Sequence, residues 1–184
     1  MSELSVGELF LQASINELER YKTLCEGALA QVSEKDWFYV PAPESNSLAI
    51  LVKHVAGNLR SRWSDFLSTD GEKPHRNRDT EFELTQADTV ESLRQHWDES
   101  WEITLGTLRD LTAADLTRTI TIRSQPVSVV DAAQRSLAHI SYHAGQIVAL
   151  AKQIRGSEFS NLSVPKGKSE EFLASMQQGY AKPK

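Results

Sequence analysis

The chain contains one cysteine, Cys25, among 184 residues. No intrachain disulfide can form, which excludes the small secreted scaffolds stapled by disulfides. Glycine (9) and proline (6) are both scarce for this length, so breakers are few and the expectation tilts toward helix. An excess of positive charge is also missing. Lys plus Arg is 20 against 25 Asp plus Glu, a net charge of −5, which argues against nucleic acid as the main partner. The longest unbroken apolar runs, Leu48–Val52 and Ile147–Ala151, are five residues each, where a bilayer span needs ~20. No membrane association is expected. The first basic residue is Arg20, so no charged region precedes an apolar stretch, no secretory signal is expected, and the expected location is cytoplasmic.

What is present is enough apolar material for a core, 40% of residues, in a length that suits one domain. Apolar residues recur at three- and four-residue steps over 3–32, from Val6 and Leu9 to Ala28 and Val32, with Glu8, Gln12, Glu17, Glu19 and Lys22 between them. This spacing predicts an amphipathic helix with Cys25 on its buried stripe. Pro41 and Pro43 follow and prevent its continuation. A second helix is predicted over 47–68, capped from among Ser45, Asn46 and Ser47, and broken at Asp70-Gly71. A third is predicted over 89–111 with Asp88 or Thr89 as cap, and a fourth over 128–155 capped by Ser128 and stopped by Gly156. Residues 119–129 alternate polar and apolar around Ser124-Gln125, which suits a short β-hairpin.

Four helices of ~22–30 residues predict an all-α four-helix bundle over 1–156. It has a long connection, 69–88, after helix 2 and the hairpin before the last helix. Residues 157–184 form a polar extension, expected to pack on or near the bundle and to hold a short helix near 168–177. The connection reads most simply as a solvated loop, and the four tryptophans read as core more readily than as an interface.

The histidines carry the chemistry. His139 and His143 lie four apart in H-I-S-Y-H, so both side chains leave one face of the fourth helix, one turn apart. Five histidines scattered at random in 184 residues rarely produce that spacing. The Glu that would follow the first His in a zincin is absent. His54 sits mid-way along the second helix, where alone it reads as a hydrogen-bonded core histidine. Taken with the pair on another helix, it predicts a shared metal site of three imidazoles. Such a site leaves one position of a tetrahedral ion open, which is the catalytic type. Zn or Ni is the expected metal, though imidazole also suits Cu and Fe. His75 and His96 are expected to be bystanders.

Polar candidates for orienting the imidazoles or holding a substrate are Asn58, Arg60, Arg62, Ser136, Tyr142 and Gln146. Arg60, Arg62, Arg76 and Arg78 could hold a carboxylate or phosphate, though each reads more readily as part of a solvated face or as an ion-pair partner of Asp65, Asp79 or Glu81. No Glu stands beside the histidines in sequence, so no strong general base is assigned. This favours direct activation of a bound nucleophile by the metal.

The segment S-N-S-L-A-I-L-V-K-H-V-A-G-N-L-R-S-R-W, 45–63, resembles the second helix of the DinB-like superfamily, and H-I-S-Y-H-A-G-Q-I, 139–147, resembles its last. The stretches D-G-E-K-P-H-R-N-R-D-T-E-F at 70–82 and S-V-P-K-G-K-S-E-E-F at 163–172 look like an uncharacterised branch of it, a domain-of-unknown-function family. The resemblance implies a four-helix bundle, a homodimer, and one divalent metal on His54, His139 and His143. Some relatives are transferases or isomerases that use a low-molecular-weight thiol. The implied function is a metal-dependent enzyme of thiol-dependent transferase or hydrolase type acting on a small molecule. The alternative is a non-enzymatic metal-binding or stress-response module that works by protein contact.

Overall fold

A computed structural model describes residues 3–180, with side chains to 177. The last four residues of the predicted C-terminal extension therefore lie outside the described residues. Four long helices form the body: α1 (Val6–Leu29), α2 (Leu48–Trp63), α3 (Val90–Asp110) and α4 (Val129–Arg155). Strands β1 (Thr119–Ile122) and β2 (Gln125–Ser128) form an antiparallel hairpin before α4, and α5 (Ser169–Tyr180) follows it. The architecture is the expected bundle with a hairpin before its last long helix. α2 lies against α3 and α4, and α1 against α4 and α3.

Each of the four long helices starts where a side-chain oxygen can accept an otherwise unpartnered backbone N–H. Ser5 and Glu8 close a reciprocal capping box on α1, Ser47 accepts from Ile50, Thr89 from Ser92, and Ser128 from Asp131. Such a cap is worth ~1 kcal/mol. The second helix ends at Trp63, short of the predicted 68, because the chain enters turns at Ser64 and Asp65 adopts a positive φ of 47°. α4 ends as expected at Gly156, whose φ of 55° costs a glycine little.

The core runs the length of the bundle. Trp37, Trp63 and Trp101 are fully buried among leucines from all four helices, and Trp97 is nearly so. All four tryptophans are thus core, as expected. Burying each large apolar side chain contributes about 1.5–3 kcal/mol. Cys25 is buried too, and burial pushes its thiol pKa up to about 12, so it is a small hydrophobe rather than a nucleophile.

The hairpin does not stand alone. Its turn residues, Arg123 and Ser124, both have positive φ (56° and 60°), the conformation of a tight two-residue turn that normally favours Asn or Gly. The Asp70 carboxylate accepts both of their backbone N–H groups at 2.8 Å, and the Gly71 N–H donates to the Thr121 carbonyl at 2.8 Å. The connection after α2 therefore clamps the turn. Backbone hydrogen bonds, led by those from Glu72 and Ser124, hold the Asp70 pKa down to about 2.

Candidate metal centre

His54 from α2 and His139 and His143 from α4 converge near the hairpin. The Nε2 atom of His139 lies 3.2 Å from Nε2 of His54 and 3.2 Å from Nε2 of His143. One ligand nitrogen from each of the three falls within 4.8 Å of the others. Nitrogens bound to one zinc at ~2.0–2.1 Å in a tetrahedral arrangement sit roughly 3.3 Å apart. The structure brings together the three histidines singled out from sequence, and they could hold a metal ion.

Proton accounting tests that fit independently of distance. The Glu81 carboxylate accepts from His54 Nδ1 at 2.8 Å, so in the neutral ring the proton is on Nδ1 and a lone pair is on Nε2. Gln146 Oε1 accepts from His143 Nδ1 at 2.7 Å, which places a second lone pair on that Nε2. His139 Nε2 faces both lone pairs and can donate to only one. If its proton sits instead on Nδ1, which is buried and has no partner, three lone pairs converge. Either arrangement leaves an unsatisfied acceptor at the centre, which is what a cation satisfies.

The electrostatics agree. Desolvation, followed by the neighbouring His143 and His54, pushes the His139 pKa down to about 3. Desolvation also lowers that of His143, against a raising contribution from Gln146. Both rings are therefore neutral at pH 7, the form that ligates metal.

The connection after α2 supplies what sequence reading missed. A 3-10 turn at Asp79–Phe82 delivers Glu81 to the His54 ring and lays the Phe82 ring against it, centroids 4.7 Å apart. Arg76 grips Glu81 through Nε to Oε1 at 2.7 Å and Nη2 to Oε2 at 2.9 Å. Burial opposes the Glu81 charge, but the hydrogen bonds from His54 and Arg76 outweigh it and hold its pKa below the usual carboxylate value. A Glu does stand beside the histidines, contrary to expectation. Both its oxygens are engaged, so it orients His54 rather than serving as a free base. The close approach requires glycine at position 57, because a Cβ there would press on Glu81 Oε1 and lie 2.9 Å from its carboxyl carbon.

The other expected residues divide. Asn58, Arg62, Ser136, Tyr142 and Gln146 all line a cavity of about 600 Å³ that contains the histidines. Within it, Gln146 positions His143 and the Tyr142 ring meets the His143 ring edge-on at 5.0 Å. Ser136 Oγ accepts from Trp63 Nε1 at 3.1 Å, which ties it to the core. Arg62 donates to the Gly71 carbonyl and to Glu72. Arg60 does not line the cavity and pairs with Glu99 of α3 at 3.0 Å. Arg76 pairs with Glu81 as anticipated, and Arg78 lies only loosely by Asp79, at 3.9 Å. His75 is exposed and His96 half-buried, and neither belongs to the histidine cluster.

Two solved structures share this architecture. A DinB-like protein from Bacillus subtilis, YjoA, superposes with a TM-score of 0.60 at 21% identity, covering 81% of this chain and 96% of that one. A conserved protein from Enterococcus faecalis gives a TM-score of 0.62 at 20% identity, covering 84% and 100% respectively. No curated protein sequence matches the chain. A family model described as "Protein of unknown function (DUF1572)" matches residues 5–168. Because that model matches most of its length, the chain belongs to the DUF1572 family, and its three-histidine cluster sits on the second and fourth long helices of the bundle.

Proposed function

We propose that the protein is a metal-dependent enzyme that binds one divalent ion, Zn or Ni, through His54, His139 and His143 and acts on a small molecule in the adjoining cavity. The observation that carries this reading is the convergence of three Nε2 atoms with at most one proton among them, so that at least one lone pair is left without a donor. Three imidazoles leave a coordination position open, and an ion there would lower the pKa of a bound nucleophile. The protein's own groups hold the geometry: Glu81 fixes the His54 tautomer, Gln146 fixes that of His143, and Arg76 keeps Glu81 charged.

Among the described residues no free carboxylate lines the cavity. This supports group transfer with a metal-activated nucleophile over a hydrolase that relies on a separate general base. Cys25, buried in the core, is unsuited to be that nucleophile. A thiol, if used, arrives on a low-molecular-weight cosubstrate. The homodimer implied by the resemblance would need an interface without tryptophan, since all four are core.

Elemental analysis of the purified protein should find close to one divalent ion per chain. His54→Ala, His139→Ala and His143→Ala should each lose it while keeping their helical circular dichroism. Retention of the ion by all three variants overturns the ligand assignment. Turnover of thiol and electrophile pairs by the metal-loaded protein alone separates the enzyme from a passive metal-binding module.

A further inference from the structure

Among the described residues the histidine cavity is lined by five arginines, Arg62, Arg76, Arg78, Arg123 and Arg135, and by no aspartate or glutamate. A chain of net charge −5 has thus gathered a quarter of its 20 cationic side chains around one hollow. The arginines are not equivalent. Arg62 and Arg76 lie deep, with side chains 14% and 6% exposed, and are committed to Glu72 and Glu81 behind the wall. Arg123 reaches the same Glu72 through Nε alone, at 2.8 Å, so three guanidinium groups share two carboxylates. Arg78 has no close ion pair, and its guanidinium rests 4.8 Å above the Phe82 ring, which in turn lies against His54. Arg135, exposed on α4 one turn before His139, has no carboxylate partner among the described residues.

We infer that the small molecule is an anion, its carboxylate or phosphate group held at the cavity rim by Arg78, Arg123 and Arg135 while the rest extends toward the histidines. Guanidinium groups bind planar or tetrahedral oxyanions through paired N–H donors. Unbalanced cations at a concave, partly apolar site focus the field on that group. The walls include Trp63, Phe66, Phe82 and Ile122, so the anion carries an apolar body. This inference rests on the small-molecule reading above, but the rim can be tested apart from the metal.

The test is calorimetric titration of phenylacetate, phenyl phosphate and the neutral phenylacetamide into the full chain at low salt. It is run on metal-loaded and chelator-treated protein, and on the Arg78→Gln/Arg135→Gln double variant, whose changed side chains are surface groups of an intact bundle. At least one anion should bind about tenfold or more tighter than the amide, as expected for charge-assisted hydrogen bonds. Whichever anion binds tighter identifies the preferred headgroup. The preference should weaken with added salt, persist in chelator-treated protein, and fall about tenfold in the double variant with amide binding unchanged. Equal binding of anion and amide overturns the inference. So does an unaltered preference in the double variant, or one that disappears with the metal. Metal content measured on the same samples reports the metal reading separately.

Discussion

The connection between α2 and α3 and the segment after α4 are both long and rich in charge, yet one is fastened to the bundle and the other stands largely in solvent. In the connection, four of the six carboxylates engage a different element. Asp70 clamps the hairpin turn, Glu72 gathers Arg62, Arg76 and Arg123, Glu81 meets His54, and Asp88 accepts from Lys53 of α2 at 3.0 Å. After α4, only the first residues dock. Phe159 and Leu162 pack on the core, and Ser160 exchanges hydrogen bonds with Gln31 just past the end of α1. Beyond them the ion pair Lys168–Glu171 is local, and Phe172, Leu173 and Met176 of α5 are about half exposed. Charge content does not separate the two stretches. What separates them is whether the charges meet partners on another element, out of water, where an ion pair gains more and its loss costs more.

The contrast can be broken at several strengths. Arg76→Ala should have the largest effect. It strands Glu81 and Glu72 with one partner fewer in a buried setting, and denaturant unfolding should show a loss of about 3–5 kcal/mol. A loss below 1 kcal/mol would mean that the connection is not held by its charges. Glu81→Gln leaves the fold but removes the charge behind His54, so metal affinity should fall about 10–100-fold by competition with a chromophoric chelator. Gly57→Ala should shift affinity in the same direction by displacing Glu81.

Acid should loosen the connection before the helices. The carboxyl pKa values of Asp70, Glu72, Glu81 and Asp88 all lie below their ordinary values of 3.8 to 4.5. The unfolded chain therefore binds more protons than the folded one in this range. The stability these groups supply is present above about pH 4.5 and is lost as pH falls toward 2. Hydrogen exchange should show amides of 69–88 losing protection through that window while α1 keeps its own. Loss in the reverse order would contradict the clamp. Truncation after Lys168 should do least, within about 0.5 kcal/mol of the intact chain and with unchanged metal content. A larger cost would show that α5 is docked after all.

The long helices, the hairpin and the three histidines were legible because each is encoded by local periodicity or by a fixed spacing. The i, i+4 pair on α4 needs only the helix to become a site. Glu81 was hidden for the opposite reason. It lies 27 residues from His54 in a stretch with no period, and its partner is set by a tertiary approach that only Gly57 hinted at. The end of α2 was overrun because Phe66 and Leu67 continue the apolar pattern beyond the last helical turn. The 3-10 turns at Glu34–Phe38 and Ala113–Thr117 also went unread, although Ser33 with Asp36 and Thr112 with Asp115 form capping boxes that mark their starts. For Arg60 the sequence leaves both a substrate role and an ion pair open, because helical phase near the edge of a stripe does not decide which neighbour a long side chain meets, and the side chain pairs with Glu99.

His54 and His139 stand 85 residues apart in the chain, on helices joined only through the connection, α3 and the hairpin. An ion bridging them is a removable crosslink. Because the ligands converge only in the folded chain, such an ion stabilises by mass action, by about 4 kcal/mol when its free concentration is a thousandfold above Kd. A protein with a single cysteine would thereby gain a staple that forms without oxidation and opens to a chelator. Metal supply would then set the lifetime of the folded chain as well as its chemistry.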